Sequence, residues 1–224
     1  MTTERIREVR QRLAAEGPPR TRGPELDFDV VALPTRDCDL LRDLLVAERA
    51  QTVVEIGLAY GSSALAIGEA LAGAPHPQHL IIDPYQREAF TNVGWDLLLE
   101  AGLEPTLLEA PSAVALPQLV AGGTTADAAF VDGSHRFHEV FLDLYYLRKI
   151  VRPGGLVILD DDWTPSVRTA VRYYERNLGW TPIPTDFTPR PIADDPSAES
   201  VPRCRALRLP DPPFEPRFED FIPF

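Results

Sequence analysis

With 224 residues, 44% of them apolar and 25% charged, the chain has the proportions of one α/β domain with appendages and is short for two. A formal charge of −12, from 34 acidic against 22 basic residues, argues against nucleic acid as a partner, because that role needs clustered cations. No apolar run is long enough to span a membrane, and the opening Thr3-Glu4-Arg5-Ile6-Arg7 is too charged for a signal peptide, so a soluble, cytoplasmic protein with no membrane partner is expected. Cys38 and Cys204 stand far apart without metal-ligand spacing and read as reduced thiols.

From the N-terminus, residues 3–15 set Ile6, Val9 and Leu13 on one helical face, and the glycines and prolines of 17–24 break the pattern. This predicts a helical extension with its linker over residues 1–35. A second helix, 37–48, carries Leu40, Leu41, Leu44 and Leu45. Strands are then predicted at 52–56, 79–83, 106–109, 128–132 and 155–160, with helices at 62–72, 91–101, 112–120, 137–150 and 166–178. Two further strands fit 180–184 and 204–209. Such alternation implies a parallel sheet covered on both faces, so residues 36–209 are expected to form a doubly wound, Rossmann-like α/β fold with a mostly parallel seven-stranded sheet. The acidic, proline-rich 185–202 reads either as a lid or as a loose surface loop. The tail, 210–224, has four prolines in its first seven residues and then Phe218, Phe221 and Phe224. It is expected to lie extended on the body or on a partner subunit, which leaves a homo-oligomer open.

Open parallel sheets bind ligands at the carboxyl ends of their strands, where the strand order reverses. There the first predicted strand runs into Val54-Glu55-Ile56-Gly57-Leu58-Ala59-Tyr60-Gly61-Ser62-Ser63. The Gly-x-Gly-x-x-Gly fingerprint of dinucleotide sites is missing. A carboxylate directly before a glycine turn would oppose a phosphate but suit a cationic amine. Asp83, ending the second strand, is placed to accept both hydroxyls of a ribose. Amine and ribose together describe S-adenosylmethionine better than a nicotinamide dinucleotide, although a glycine turn can also serve close helix packing alone.

Asp132, in Phe130-Val131-Asp132-Gly133-Ser134-His135, ends the fourth predicted strand, and Asp160-Asp161-Asp162 ends the fifth. Neighbouring strands lie about 4.8 Å apart, so these carboxylates would repel unless protonated or neutralised by a cation. Hard oxygen ligands without a thiolate favour magnesium or a similar ion. The same acids could instead cap the following helices. His135, with an ordinary pKa of about 6.5, could take a proton at neutral pH, or be structural like its neighbour His138. Tyr85, Gln86, Trp95 and Trp163 could line an acceptor pocket or belong to the core.

Taken together, Glu55-Ile-Gly57-Leu-Ala-Tyr-Gly61-Ser-Ser63, Ile81-Ile-Asp83-Pro84, Ala110-Pro-Ser112-Ala-Val and Phe130-Val-Asp132-Gly-Ser-His135 resemble class I S-adenosylmethionine-dependent methyltransferases over about 52–163. The likeness is greatest to the metal-dependent O-methyltransferases of the catechol and macrolide-sugar types. It implies that Glu55, Gly57 and Gly61 border the methionine part of the cofactor, that Ser63 binds its carboxylate, Asp83 its ribose and Ser112 its adenine, and that Asp132 serves both the cofactor and the metal. It implies Asp132, Asp161 and Asp162 as magnesium ligands. Asp162 stands where the family commonly has Asn, and Asp160 could take over if the strand runs one residue short. His135 stands where the catechol enzymes carry a lysine, and some macrolide-sugar enzymes carry Asp-Gly-x-His, which implies His135 as general base. The expected function is therefore methyl transfer to a hydroxyl of a small molecule, as in natural-product tailoring. A metal-independent N- or C-methyltransferase and a non-catalytic cofactor-binding module of the same fold are the alternatives.

Overall fold

The computed structural model describes residues 3–19, 27–193 and 199–224, so part of the predicted linker and the centre of the predicted lid or loop lie outside the described residues. The chain divides into two compact units, Met1–Ser112 and Ala113–Phe224.

The first unit contains α1 (Thr3–Glu16), α2 (Phe28–Val31), α3 (Thr35–Ala47), β1 (Thr52–Ile56), α4 (Ser62–Leu71), β2 (Gln78–Ile82), α5 (Val93–Glu100) and β3 (Thr106–Leu108). Its strands run parallel in the order β3-β2-β1, with Ile56 beside Ile82 and Leu80 beside Thr106. Both faces of β1 are buried, so Val53, Val54 and Ile56 form the continuous apolar run that a covered parallel strand needs. Glu55 interrupts that run and is itself 0% exposed.

Helix α1 is built into this unit. Ile6, Val9 and Leu13, spaced to share one face, are buried in a cluster with Leu58, Tyr60, Leu65, Leu97 and Leu98. Each such burial contributes about 1.5–3 kcal/mol. Beside that stripe, Arg7 Nε and Arg10 Nη1 donate to the two oxygens of the buried Glu69 of α4 at 2.6 and 2.7 Å. The predicted extension therefore packs directly against the loop that follows β1.

The second unit contains α6, which opens at the boundary (Ser112–Ala121), β4 (Ala126–Val131), α7 (Phe137–Ile150), β5 (Val151–Leu159), α8 (Pro165–Leu178), β6 (Thr181–Ile183), β7 (Pro189–Arg190), β8 (Val201–Pro202) and β9 (Arg205–Arg208). The main strands follow the order β4-β5-β9-β6; β4 and β5 are parallel, while β9 is antiparallel to β5 and β6. With β1 to β3 these make the expected seven-stranded, mostly parallel sheet with flanking helices, an α/β Rossmann-like fold. Two features went unread in the sequence. One is α2, a single turn whose Asp27 side chain accepts from the Asp29 N–H at 3.1 Å. The other is the short antiparallel β7-β8 pair, which flanks the undescribed part of 185–202.

The tail lies on its own unit. Asn177 donates through Nδ2 to the Ile222 carbonyl at 2.9 Å and accepts from its N–H at 2.7 Å, and the Phe224 ring meets Tyr173 edge-on with centroids 5.1 Å apart. Among the described residues no helix is long and apolar enough to cross a membrane.

Candidate active site

The loop after β1 turns on left-handed backbone. Gly57 has φ 93° and Gly61 φ 85°, and a Cβ on Gly61 would come within 3.2 Å of the Gly94 carbonyl, so glycine suits both positions. Ala59, φ 44°, shares that region although such backbone costs a non-glycine residue about 1–2 kcal/mol. Asp83 gathers this loop from the end of β2. Its Oδ2 accepts from the Leu58 N–H at 2.9 Å, the Ala59 N–H at 3.2 Å and Gln86 Nε2 at 3.1 Å, while Oδ1 accepts from the Tyr85 N–H at 2.7 Å. Three of these donors crowd Oδ2 and one meets Oδ1, so Oδ1 is the oxygen with capacity left for the ribose role expected of Asp83.

Glu55 is engaged in the same manner. Ser63 Oγ donates to its Oε1 at 2.6 Å and His79 Nε2 lies 2.8 Å from its Oε2. The single hydroxyl proton of Ser63 is thereby given to Glu55, where the sequence reading had it meeting a ligand carboxylate. His79 was missed in the sequence; the signal that could have found it is a polar residue on a buried strand, one position from the strand's start. Ser112 is half-buried at the first residue of α6. Of the residues that could have lined an acceptor pocket, Gln86 is wholly buried, Trp95 packs against the core cluster and Tyr85 is exposed.

In the second unit β4 and β5 are paired with Val131 beside Leu159, so Asp132 and Asp160 leave adjacent strand ends. The three consecutive aspartates then part company. Asp160 is held by Arg203, Nε at 2.9 and 3.0 Å and Nη2 at 2.8 Å, and also receives the Cys204 thiol at 3.2 Å. Asp161 takes left-handed backbone, φ 60°, and turns to Trp163, whose Nε1 donates to Oδ1 at 2.7 Å, and to His135, whose Nε2 lies 2.8 Å from Oδ2. Asp162 is buried with Oδ2 3.3 Å from Arg205 Nη1, and its other oxygen has no hydrogen-bond partner. The expectation that Asp162 stands with Asp161 at one ion is thus not what the structure shows, because the left-handed turn at Asp161 sends successive carboxylates apart, and Arg203, just before β9, and Arg205, its first residue, each take one of the outer two.

Asp132, His135 and Asp161 are brought together, one ligand atom from each lying within 4.8 Å of the others. His135 begins the approach to α7, and its backbone carbonyl accepts from Ser166 Oγ of α8 at 2.5 Å, which ties the imidazole's base to a second helix. Burial first, and then the charge of Asp160, pushes the Asp132 carboxyl up to about 7 against the opposing pull of His135. Facing Asp132 and Asp161, His135 is pushed up to about 10. Burial also works to raise Asp161, but the hydrogen bonds and charge of His135 and the bond from Trp163 outweigh it and hold that carboxyl below its ordinary value.

Two carboxylate oxygens this close offer hard oxygen donors that fit a divalent cation, with the His135 imidazole beside them. Asp132, which burial and a neighbouring acid press toward protonation, is the group a cation would relieve. Asp160 is committed to Arg203 and Asp162 to Arg205, so Asp132 and Asp161 are the carboxylates able to hold one. His138 stands outside this group, exposed and 3.8 Å from Glu139.

Residues 54–161, which contain both the loop after β1 and this acid cluster, match the family described as methyltransferase domain. The chain carries a methyltransferase domain. The resemblance to class I methyltransferases is borne out by this match and by the fold. Solved structures similar to the methyltransferase include an O-methyltransferase from Bacillus cereus in complex with SAH, 15% identical with a TM-score of 0.64 over 93% of this chain and 91% of that one. Another is the O-methyltransferase TomG from Streptomyces achromogenes, involved in tomaymycin synthesis and in complex with SAM, 20% identical with a TM-score of 0.62 over 93% and 98%. A third is the SAH-bound methyltransferase PaMTH1 from Podospora anserina, 14% identical with a TM-score of 0.63 over 92% and 88%. At these identities the likeness is one of fold. No curated protein matches the methyltransferase.

Proposed function

We propose that this methyltransferase moves a methyl group from S-adenosylmethionine to a hydroxyl of a small molecule, with a divalent cation, magnesium, held by Asp132 and Asp161. The observation that carries this reading is the convergence of Asp132, His135 and Asp161 beside the ends of β4 and β5. A base next to paired carboxylates is the equipment for removing a proton from an oxygen nucleophile. S-adenosylmethionine would supply an electrophilic methyl on a sulfonium, and the cation positive charge for the acceptor's oxygens. The loop of Gly57 to Gly61, shaped by Asp83, would present the cofactor at the end of β1.

The chain's own residues then divide the work. Asp132 and Asp161 hold charge in place, and Trp163 fixes the orientation of Asp161 through Oδ1. His135 takes the acceptor's proton at Nε2 from its neutral form, which it reaches once the charge of the two carboxylates is committed elsewhere. The Ser166 bond to the His135 carbonyl keeps that nitrogen at the cluster. Most of the acceleration would come from positioning. The solved relative tied to tomaymycin synthesis supports an acceptor made in natural-product tailoring.

The test is a methyl-transfer assay that follows S-adenosylhomocysteine formation across a panel of hydroxylated small molecules, run with chelator and with magnesium restored. Hydroxyl-dependent turnover that chelator abolishes supports the reading. Turnover unchanged in excess chelator removes the metal from it, and transfer only to amines or carbon acceptors overturns the hydroxyl assignment.

A further inference from the structure

We propose that Gln86 is a positioning residue for the methyl donor: it clamps Ala59 in left-handed backbone and so holds the loop after β1 in its binding shape. The inference rests on the reading that this loop holds S-adenosylmethionine. The loop has three left-handed residues, Gly57, Ala59 and Gly61. The two glycines take that backbone freely; Ala59 is the one that must be held there.

The holding is done by a closed ring of hydrogen bonds. The Ala59 N–H donates to Asp83 Oδ2 at 3.2 Å. Gln86 Nε2 spends one proton on the same oxygen at 3.1 Å and the other on the Ala59 carbonyl at 2.8 Å. Asp83 therefore secures the N–H side of Ala59, and Gln86 secures its carbonyl side. The orientation of the Gln86 amide follows from chemistry, since turning it over would set its oxygen against a carbonyl and a carboxylate. That orientation leaves Gln86 Oε1 buried without a partner, a cost the side chain carries in order to make both donations.

Gly94 of α5 closes the back of the ring. A Cβ there would come within 2.4 Å of the Ala59 carbonyl oxygen and 3.2 Å of Gln86 Oε1, so a side chain at this position would push the carbonyl off its donor. The Gln86 carbonyl accepts from the Asn92 N–H at 2.8 Å, which ties the clamp to the segment leading into α5. Gln86 is 0% exposed, so water offers the Ala59 carbonyl no substitute there.

The experiment is calorimetric titration of the full chain with S-adenosylhomocysteine, on wild type, Gln86→Met, Ala59→Gly and the double variant. Met keeps the length and volume of Gln and donates nothing. Gln86→Met should weaken binding about tenfold, the scale of one lost hydrogen bond to a buried acceptor. In the Ala59→Gly background the same change should cost only about twofold, because glycine needs no clamp to stay left-handed. A purely structural role would lower stability in both backgrounds and would show no such rescue. Wild-type affinity in Gln86→Met, or an equal loss in the Ala59→Gly background, overturns the proposal. If Gln86→Met does not fold, Gln86→Asn, one methylene too short to reach both acceptors, carries the same expectations. A wild type that binds no S-adenosylhomocysteine overturns the functional reading itself, and the proposal with it; that result is distinct from a wild type that binds while its variant binds equally well.

Discussion

Arg203 grips Asp160 through Nε and Nη2 at 2.8–3.0 Å, with both side chains buried, and this pair removes the first of three consecutive aspartates from the cluster of Asp132, His135 and Asp161. Breaking a buried pair from one side leaves an uncompensated charge and typically costs about 3–5 kcal/mol. Arg203→Met should destabilise the fold by that amount in denaturant unfolding. The double variant Arg203→Met, Asp160→Leu should lose far less, since no lone charge remains. Equal losses in single and double variants would show that packing, and not charge, is what Arg203 contributes.

Asp161 and Asp162 should separate cleanly in metal binding. Asp161 faces His135 and Asp132, whereas Asp162 faces Arg205. Asp161→Asn should weaken magnesium or manganese binding at least about tenfold, and Asp162→Asn should leave it within about twofold. Calorimetry with either metal alone measures both. A larger loss in Asp162→Asn would mean that the carboxylate swings back from Arg205 when a cation arrives.

Cation affinity should rise with pH from 6 to 9. With His135 raised to about 10 and Asp132 to about 7, the cluster carries protons at neutral pH that a cation must displace. Titrations in buffers of different ionisation enthalpy should therefore show proton release. The stability of the metal-free fold has a fixed sign as well. A raised pKa means that the folded state binds more protons, so stability falls as pH rises through the window between unfolded and folded values. For Asp132 that window runs from 3.8 to about 7 and for His135 from 6.5 to about 10. Asp132→Asn should flatten the lower part of the profile, and a profile that rises over that range would contradict the burial of Asp132.

His135→Ala should lower turnover by about 10²–10⁴-fold with little change in S-adenosylhomocysteine affinity, because a base acts in the transition state and not in cofactor binding. Single-turnover kinetics on an accepted substrate separates this from slow product release. Wild-type turnover in the variant, with chemistry shown to limit the rate, would leave His135 a structural residue.

Hydrophobic periodicity located the strand and helix alternation, because covered parallel strands and amphipathic helices must each repeat their apolar residues at their own period; β1 and α7 coincide with their predicted ranges. The placement of Asp132, His135 and the aspartate run at strand ends followed from the same patterning. What the sequence could not decide was where neighbouring polar side chains go, since that depends on partners distant in the chain. Asp160, Asp161 and Asp162 are alike in sequence. Arg203 and Arg205, more than 40 positions on, take the first and third, and left-handed backbone at Asp161 directs the second to His135. Glu55 and Asp83 looked equally open to a ligand, yet Ser63, His79, Gln86 and three backbone N–H groups occupy them. Buried carboxylates need such donors, and only the tertiary fold chooses which ones come within reach.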